Sequence, residues 1–267
     1  MTEQGPDEEF MPGNLAGALR VGETVHRRTG AWTPAVHALL AFLEEQGFEG
    51  APRLLGRDDD GQEILSFVAG DTYTDAQLAA VPEHAVLSTS VLLRQLHDVT
   101  EPFAHHSGIH WAHPAATDGP ALVVCHNDVA PRNTVYRAGM AVAFIDWDLA
   151  RPEVRTWDLA HLVWQFCPLD DAEGCRGYGF AEPPDRIGRL AALVDAYGPT
   201  AQERAGFFPL LVSRVRTTRE GILALAAAGR PEFTHLVRMG VIEGLDRQLR
   251  WILDAEEPIR AAVSRRR

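Results

Sequence analysis

Hydrophobic and polar positions change their period along this chain, and the change marks out its elements. Near the N-terminus short apolar runs alternate with polar residues, the two-residue period of strands. Leu15–Val21 and Thr24–Arg27 are predicted strands, separated by Gly22. At Thr33-Pro34 the period lengthens. Val36, Leu39, Leu40 and Leu43 fall at i, i+3, i+4 and i+7, one face of a helix. Thr33 is the predicted N-cap, Pro34 fits the first turn and Gly47 ends the helix. Leu54-Leu55 and Ile64–Val68 flank Asp59-Asp60-Gly61, which predicts a hairpin.

Gly70-Asp71 is the expected linker. Beyond it the helical period dominates, over Glu83–His97, Thr156–Cys167, Pro184–Tyr197, Gln202–Ala228 and Pro231–Asp254. A strand-rich insert, Ala121–Ile145, separates the first two of these helices. The fold class is therefore α+β. Residues 1–70 form the expected small lobe and 71–267 the expected helical lobe, with a cleft between them where ligands commonly bind.

Composition narrows the partners. The 267 residues are 46% hydrophobic, enough for an ordinary core, and carry a net charge of −12. That balance argues against nucleic acid and against an anionic membrane surface; it is compatible with a cationic substrate, and reads first as a solubility charge that says nothing of partners. All 25 basic residues are arginine. Any step that uses lysine elsewhere must use a flat guanidinium fork here. Cys125, Cys167 and Cys175 show no metal or redox spacing, and are expected as free thiols in a reducing cytoplasm. Met1–Phe10 is acidic and polar, unlike a signal peptide, and no apolar run approaches the roughly 18 residues of a spanning helix.

The chemistry concentrates in Ala121–Asp148. His126 and Asp128 follow a short apolar strand at Val123-Val124, and Asn133 comes five residues after Asp128. Thr134–Tyr136 and Ala141–Ile145 are hairpin strands. A turn centred near Gly139-Met140 sets Asn133 opposite Asp146, with Cβ atoms roughly 5 Å apart. One oxygen from each can bind Mg²⁺, a hard ion. Asp128, nearby, can accept the proton of an attacking hydroxyl. Taken singly, each residue also fits a cap, a turn or a core position. The ordered set His-x-Asp-x₄-Asn, hairpin, Asp is the catalytic-loop pattern of protein kinases.

HNDVAPRN followed by FIDWDLA resembles the signature of the aminoglycoside phosphotransferase and choline kinase-like family. The likeness extends over most of the chain, through WDLAHLVW and the small lobe. It implies a two-lobed protein-kinase-like fold and transfer of the γ-phosphoryl group of ATP or GTP to a hydroxyl of a small molecule. The acceptor class it implies is an antibiotic of aminoglycoside type or a small metabolite. Carried over by position, Asp128 is the base, Asn133 and Asp146 are the Mg²⁺ ligands, and His126 and Asp158 support the loop. Asp148 shares the face of Asp146 in a strand-like segment and is a supporting residue. About ten residues separate Asp146 from the helix at Thr156, too few for a protein-kinase activation segment, and no Ala-Pro-Glu follows. The acceptor is therefore expected to be a small molecule.

Two departures stand out. The family's strand lysine is absent. Arg27, with Arg28 next, is either its substitute at the nucleotide phosphates or a surface arginine. The family's helix glutamate is absent too: Val36 and His37 hold its positions, and Glu44 and Glu45 come two turns later. Pro12–Gly17 is either a glycine loop over the phosphates, through Gly13 and Gly17, or a plain turn. Ser66–Ala69 is the expected hinge facing the base. His97, His105, His106, His110 and His113 cluster in sequence with Trp111, and their irregular spacing predicts a polar loop more than a metal site. Asp170, Asp171, Glu173, Asp185 and Asp195 are either a receptor for a cationic acceptor or solvated surface. The rival function is a catalytically weak kinase-fold protein that binds a ligand or partner without turnover.

Overall fold

The computed structural model describes residues 8–11, 17–106, 108–111 and 122–265. Its N-terminal part is a five-stranded antiparallel sheet of β1 (Glu8–Met11), β2 (Ala18–Val21), β3 (Thr24–Arg27), β4 (Leu54–Arg57) and β5 (Glu63–Ser66), in the order β1-β2-β3-β5-β4. Helix α1 (Thr33–Glu45) connects β3 to β4 and buries Val36, Leu39, Leu40 and Leu43, the stripe its sequence predicts. Thr33 is not the N-cap. Trp32 holds that position, and the Thr33 hydroxyl accepts from the Gly30 amide at 2.8 Å, closing the preceding turn. In the sheet β5 lies between β3 and β4, with Val25 opposite Leu65 and Arg27 opposite Glu63.

The expected linker is pinned. Asp71 exchanges two 2.8 Å backbone hydrogen bonds with Tyr136 of β7 (Thr134–Arg137). Gly70 sits at φ +152°, and a Cβ there would come within 2.5 Å of the Tyr136 carbonyl oxygen, so only glycine fits. Helix α2 (Glu83–Ala104) follows and runs past the predicted end at His97. β6 (Leu122–Cys125) pairs with β9 (Arg151–Val154), and β7 pairs with β8 (Met140–Phe144).

The remainder is helical: α3 (Arg155–Phe166), α4 (Ala172–Gly177), α5 (Arg186–Tyr197), α6 (Ala201–Ala227), α7 (Pro231–Arg238), α8 (Val241–Asp254) and α9 (Glu256–Ser264). The single helix predicted over Pro231–Asp254 is two, because Gly240 at φ +80° turns the chain left-handed between them. One apolar cluster runs from Leu40 and Leu65 through Leu96, Phe144 and Trp147 to Leu162, Leu193 and Phe207. Each such side chain, fully buried, contributes about 1.5–3 kcal/mol, so sheet and helices share one core. No helix among the described residues is long and apolar enough to cross a membrane.

Candidate active site

The site is built on residues 126–133, the loop that joins β6 to β7. Asp158, buried on α3, accepts the backbone N–H groups of His126 at 2.7 Å and Asn127 at 3.0 Å. His97 of α2 approaches the same carboxylate at 3.3 Å and holds the Tyr197 hydroxyl at 2.7 Å with its other nitrogen. Burial pushes the Asp158 carboxyl up, but the hydrogen bond and charge of His97 outweigh it and bring the group to about 2. Asp158, His97 and Cys125 offer ligand atoms within 4.8 Å of one another, the one such cluster among the described residues. The Asp158 oxygens are already occupied by backbone donors, so the cluster braces the loop.

His126 ties the loop to the hairpin. Its Nε2 donates to the Ile145 carbonyl at 3.0 Å, and its Nδ1 faces the Asp128 amide at 3.3 Å. Burial lowers its pKa, and both contacts suit the neutral ring. Arg214 of α6 donates to the Asn127 carbonyl at 2.7 Å. Asn127 itself is left-handed, at φ +67°, a conformation asparagine tolerates.

Asp128 emerges from this scaffold with three neighbours. Asn133 Nδ2 donates to its Oδ2 at 2.8 Å, and Arg132 Nη2 to its Oδ1 at 2.9 Å. His161 Nε2, on α3, lies 3.4 Å from Oδ1, too far for a full hydrogen bond, and His161 Nδ1 has no partner. Burial raises the Asp128 pKa, but the near contact of His161 and the charge of Arg132 more than offset it, holding the carboxyl well below its ordinary range. His161 itself is pulled down to about 4 by burial and the Arg214 charge. Arg132 also reaches Asp75 at 3.2 Å, so it bridges two carboxylates.

The hairpin register differs from the predicted one. The two-residue turn is Ala138-Gly139, both at positive φ (50° and 76°), as a primed hairpin turn requires. Thr134 then faces Phe144, a bulge follows Val135, and the Asn133 carbonyl accepts from Ile145, not from Asp146. Asn133 and Asp146 are therefore not cross-strand partners. Asp146 is left-handed (φ 67°, ψ 65°), and its carboxylate lies 3.1 Å from Arg27 Nη2. Both Asn133 and Asp146 line a cavity of about 590 Å³ that also takes in Arg27, Arg132, Leu65 and Val135. Asp148 meets the same Arg27 nitrogen at 2.5 Å, and burial with the adjacent Asp146 charge raises its pKa to about 6 against the pull of Arg27.

These residues suit a hard cation. A carboxylate accepts only, so the Asn133 amide must present Nδ2 to Asp128, which leaves Oδ1 as its remaining ligand atom. Asp146 adds carboxylate oxygens at the same cavity. That oxygen set suits Mg²⁺, which keeps the rest of its shell for water and phosphate.

Other expected residues lie elsewhere. Gly13 and His113 are outside the described residues, and Gly17 precedes β2 without lining the cavity. Arg28 is exposed, as are His105, His106 and His110. Most of the acidic set is committed to structure. Asp170 is buried against Arg247, at 2.7 and 3.1 Å; Asp171 and Asp185 cap α4 and α5; Asp195 pairs with Arg204 at 2.8 Å. Glu63, Arg132 and His161 are site residues the sequence reading did not single out. Arg132 lies inside HNDVAPRN, four residues after Asp128, and could have been noticed there. Glu63 and His161 reach the site only through the fold.

Comparison with known proteins bears on the family and the fold. The profile of the phosphotransferase enzyme family matches residues 106–204, which contain the loop, the hairpin and α3. The chain is 30% identical over 257 residues to the trifolitoxin immunity protein of Rhizobium leguminosarum bv. trifolii, covering 94% of this chain and 97% of that protein. Its fold is similar to a choline/ethanolamine kinase family protein from Mesorhizobium loti (TM-score 0.64, 18% identity, 97% of this chain and 92% of that one). It is also similar to a spectinomycin phosphotransferase in complex with ADP and spectinomycin (TM-score 0.59, 11% identity, 94% and 93%). With its two-part α+β architecture and its His-x-Asp-x₄-Asn loop, the chain belongs to the phosphotransferase enzyme family.

Proposed function

We propose that this protein is a small-molecule kinase, transferring the γ-phosphoryl group of ATP or GTP to a hydroxyl of an antibiotic or small metabolite. One observation carries the reading: Asn133 holds Asp128 through its amide nitrogen while lining the same cavity as Asp146 and Arg27. Asp128 orients the acceptor hydroxyl and takes its proton as the bond to phosphorus forms. Its depressed pKa makes it a weak base, which suits a transfer in which positioning and charge neutralisation matter more than proton abstraction. Asn133 and Asp146 would hold Mg²⁺, which would supply positive charge to the phosphate side of the site. Arg27 contacts nucleotide phosphate from β3. His126 and Asp158 keep the loop in place, and Asp148 sets the Arg27 fork.

The immunity function named for the 30%-identical relative supports a resistance role. The acidic residues of α4, α5 and their flanks are largely paired within the chain, which weakens the case for a polycationic acceptor. The test is a phosphate-transfer screen over aminoglycosides, macrolides, choline-like amines, sugars and small peptide antibiotics, with MgATP and MgGTP. Asp128→Ala is expected to abolish transfer and retain nucleotide binding. Unchanged transfer in that variant sinks the assignment.

A second reading, ligand binding without turnover, is favoured by one feature: the Arg27 fork is already engaged by Asp146 and Asp148. It predicts acceptor binding with no phosphorylated product. Product with any acceptor in the screen eliminates it.

A further inference from the structure

The missing helix glutamate has a counterpart on a strand. Glu63 of β5 is only 2% exposed, and its two oxygens go to different elements. Oε1 lies 3.5 Å from Nε of Arg27, its cross-strand partner in β3. Oε2 lies 2.8 Å from Nε2 of His37 in α1. A carboxylate only accepts, so the His37 ring carries its hydrogen on Nε2 and donates it. A carboxylate this deeply buried is tolerable only because both oxygens are partnered.

The arrangement sets the direction of Arg27. Its Nε, at the root of the fork, faces Glu63. The terminal Nη2 meets Asp146, which lines the cavity, and Asp148. The ladder Val25 to Leu65 and Arg27 to Glu63 fixes which face both side chains share. His37 stands on the helix at a position where the family resemblance leads one to expect an acid. Helix and strand are thus joined through a histidine and a relocated carboxylate.

We propose that Glu63 and His37 are positioning residues for the phosphoryl-transfer site: Glu63 aims the Arg27 fork at the phosphates of the bound nucleotide, and His37 buttresses Glu63 from α1. This rests on the reading of the cavity as a nucleotide site. It names two side chains through which the position of α1 acts on the nucleotide phosphates.

The test measures MgATP, MgADP and adenosine binding by titration calorimetry on the full chain, with thermal melts to confirm folding. Arg27→Ala and Glu63→Gln are each expected to weaken MgATP and MgADP by roughly tenfold or more, with adenosine unchanged. Because Glu63 acts through Arg27, the double variant is expected to be no weaker than Arg27→Ala alone. His37→Gln, which keeps a donor, is expected to stay near the wild type, and His37→Leu to show part of the loss. Should Glu63→Gln fail to fold, the contrast between the two His37 variants decides. Unchanged phosphate affinity in a folded Glu63→Gln, equal loss for adenosine, additive losses in the double variant, or identical behaviour of His37→Gln and His37→Leu overturns the inference. Failure of the wild-type chain to bind MgATP or MgGTP overturns the nucleotide reading itself, and this inference with it.

Discussion

Asn133 is committed to Asp128 at one end and free at the other: its Nδ2 donates to the Asp128 carboxylate at 2.8 Å and to the Asp128 carbonyl at 2.9 Å. The amide therefore orients the Asp128 carboxylate with its nitrogen, and Oδ1 is the remaining ligand atom of a residue that lines the cavity.

Two substitutions separate these jobs. Asn133→Ala removes both and is expected to lower turnover by at least about 10²-fold. Asn133→Asp keeps an oxygen for the metal but sets a second carboxylate against Asp128, where like charges cannot both ionise comfortably. Its Mg²⁺ dependence is expected to stay near the wild type while its rate falls. Magnesium titrations of transfer rate, with an acceptor from the screen, check this. Equal Mg²⁺ dependence in the two variants would remove the metal role from Asn133.

Stability is expected to fall in two stages as pH drops. His97 and His126 have lowered pKa values through burial, and His161 is lowered to about 4. Each takes a proton less readily when folded than when unfolded. Their contribution is full above the unfolded value of 6.5 and is lost as pH falls from there toward the folded values. Asp158 then contributes below that range. Its folded pKa of about 2 lies under the ordinary 3.8, so its share, on the order of 2 kcal/mol, is present above about pH 4 and lost toward pH 2. Denaturant titrations from pH 8 to pH 2 should resolve both stages. Asp158→Asn should shrink the lower stage, to which the depressed Asp128 carboxyl also contributes, and destabilise the protein at neutral pH, because an amide cannot accept from every donor that now faces the carboxylate.

Arg247 and Asp170 test whether the acidic segment near α4 serves structure or substrate. The guanidinium makes two hydrogen bonds to a carboxylate that is 1% exposed. Arg247→Ala strands that charge and is expected to cost about 3 kcal/mol, read as a lower denaturation midpoint. Acceptor KM in the folded fraction should not change. A selective loss of acceptor affinity at unchanged stability would return Asp170 to the substrate site.

The local elements were legible because their signals are local. The Val36–Leu43 stripe, the Asp-Gly hairpin and the alternation at Thr24–Arg27 all appear where the sequence places them. That His126, Asp128 and Asn133 share one loop was also readable, since they lie within eight residues. Errors came where a local rule met a tertiary constraint. The hairpin register shifted because the positive-φ pair is Ala138-Gly139, and alanine gives little warning of such a turn. β9 contains Pro152, which weakens any strand signal, and pairs with β6 across 25 intervening residues. Glu63 carries no signal of its own in the sequence. Only the order β3-β5-β4 puts it beside Arg27, and only the packing of α1 brings His37 to it.

Arg132 offers the sharpest pH test of the base. Its guanidinium lies 2.9 Å from Asp128 and 3.2 Å from Asp75, and its charge helps to hold the Asp128 carboxyl well below the ordinary range. Removing it leaves burial to push that pKa up, with less opposition. A carboxylate base works only when ionised, so the acid limb of the rate profile must move to higher pH in Arg132→Ala. At neutral pH Asp128 stays ionised in either case, and any rate change there reports lost positioning and not lost ionisation. Transfer rates from pH 4 to pH 9, with wild type and variant side by side, separate the two effects. Movement of the acid limb to lower pH, or none at all when the variant is folded and active, would mean that Asp128 is not the group whose ionisation limits the reaction.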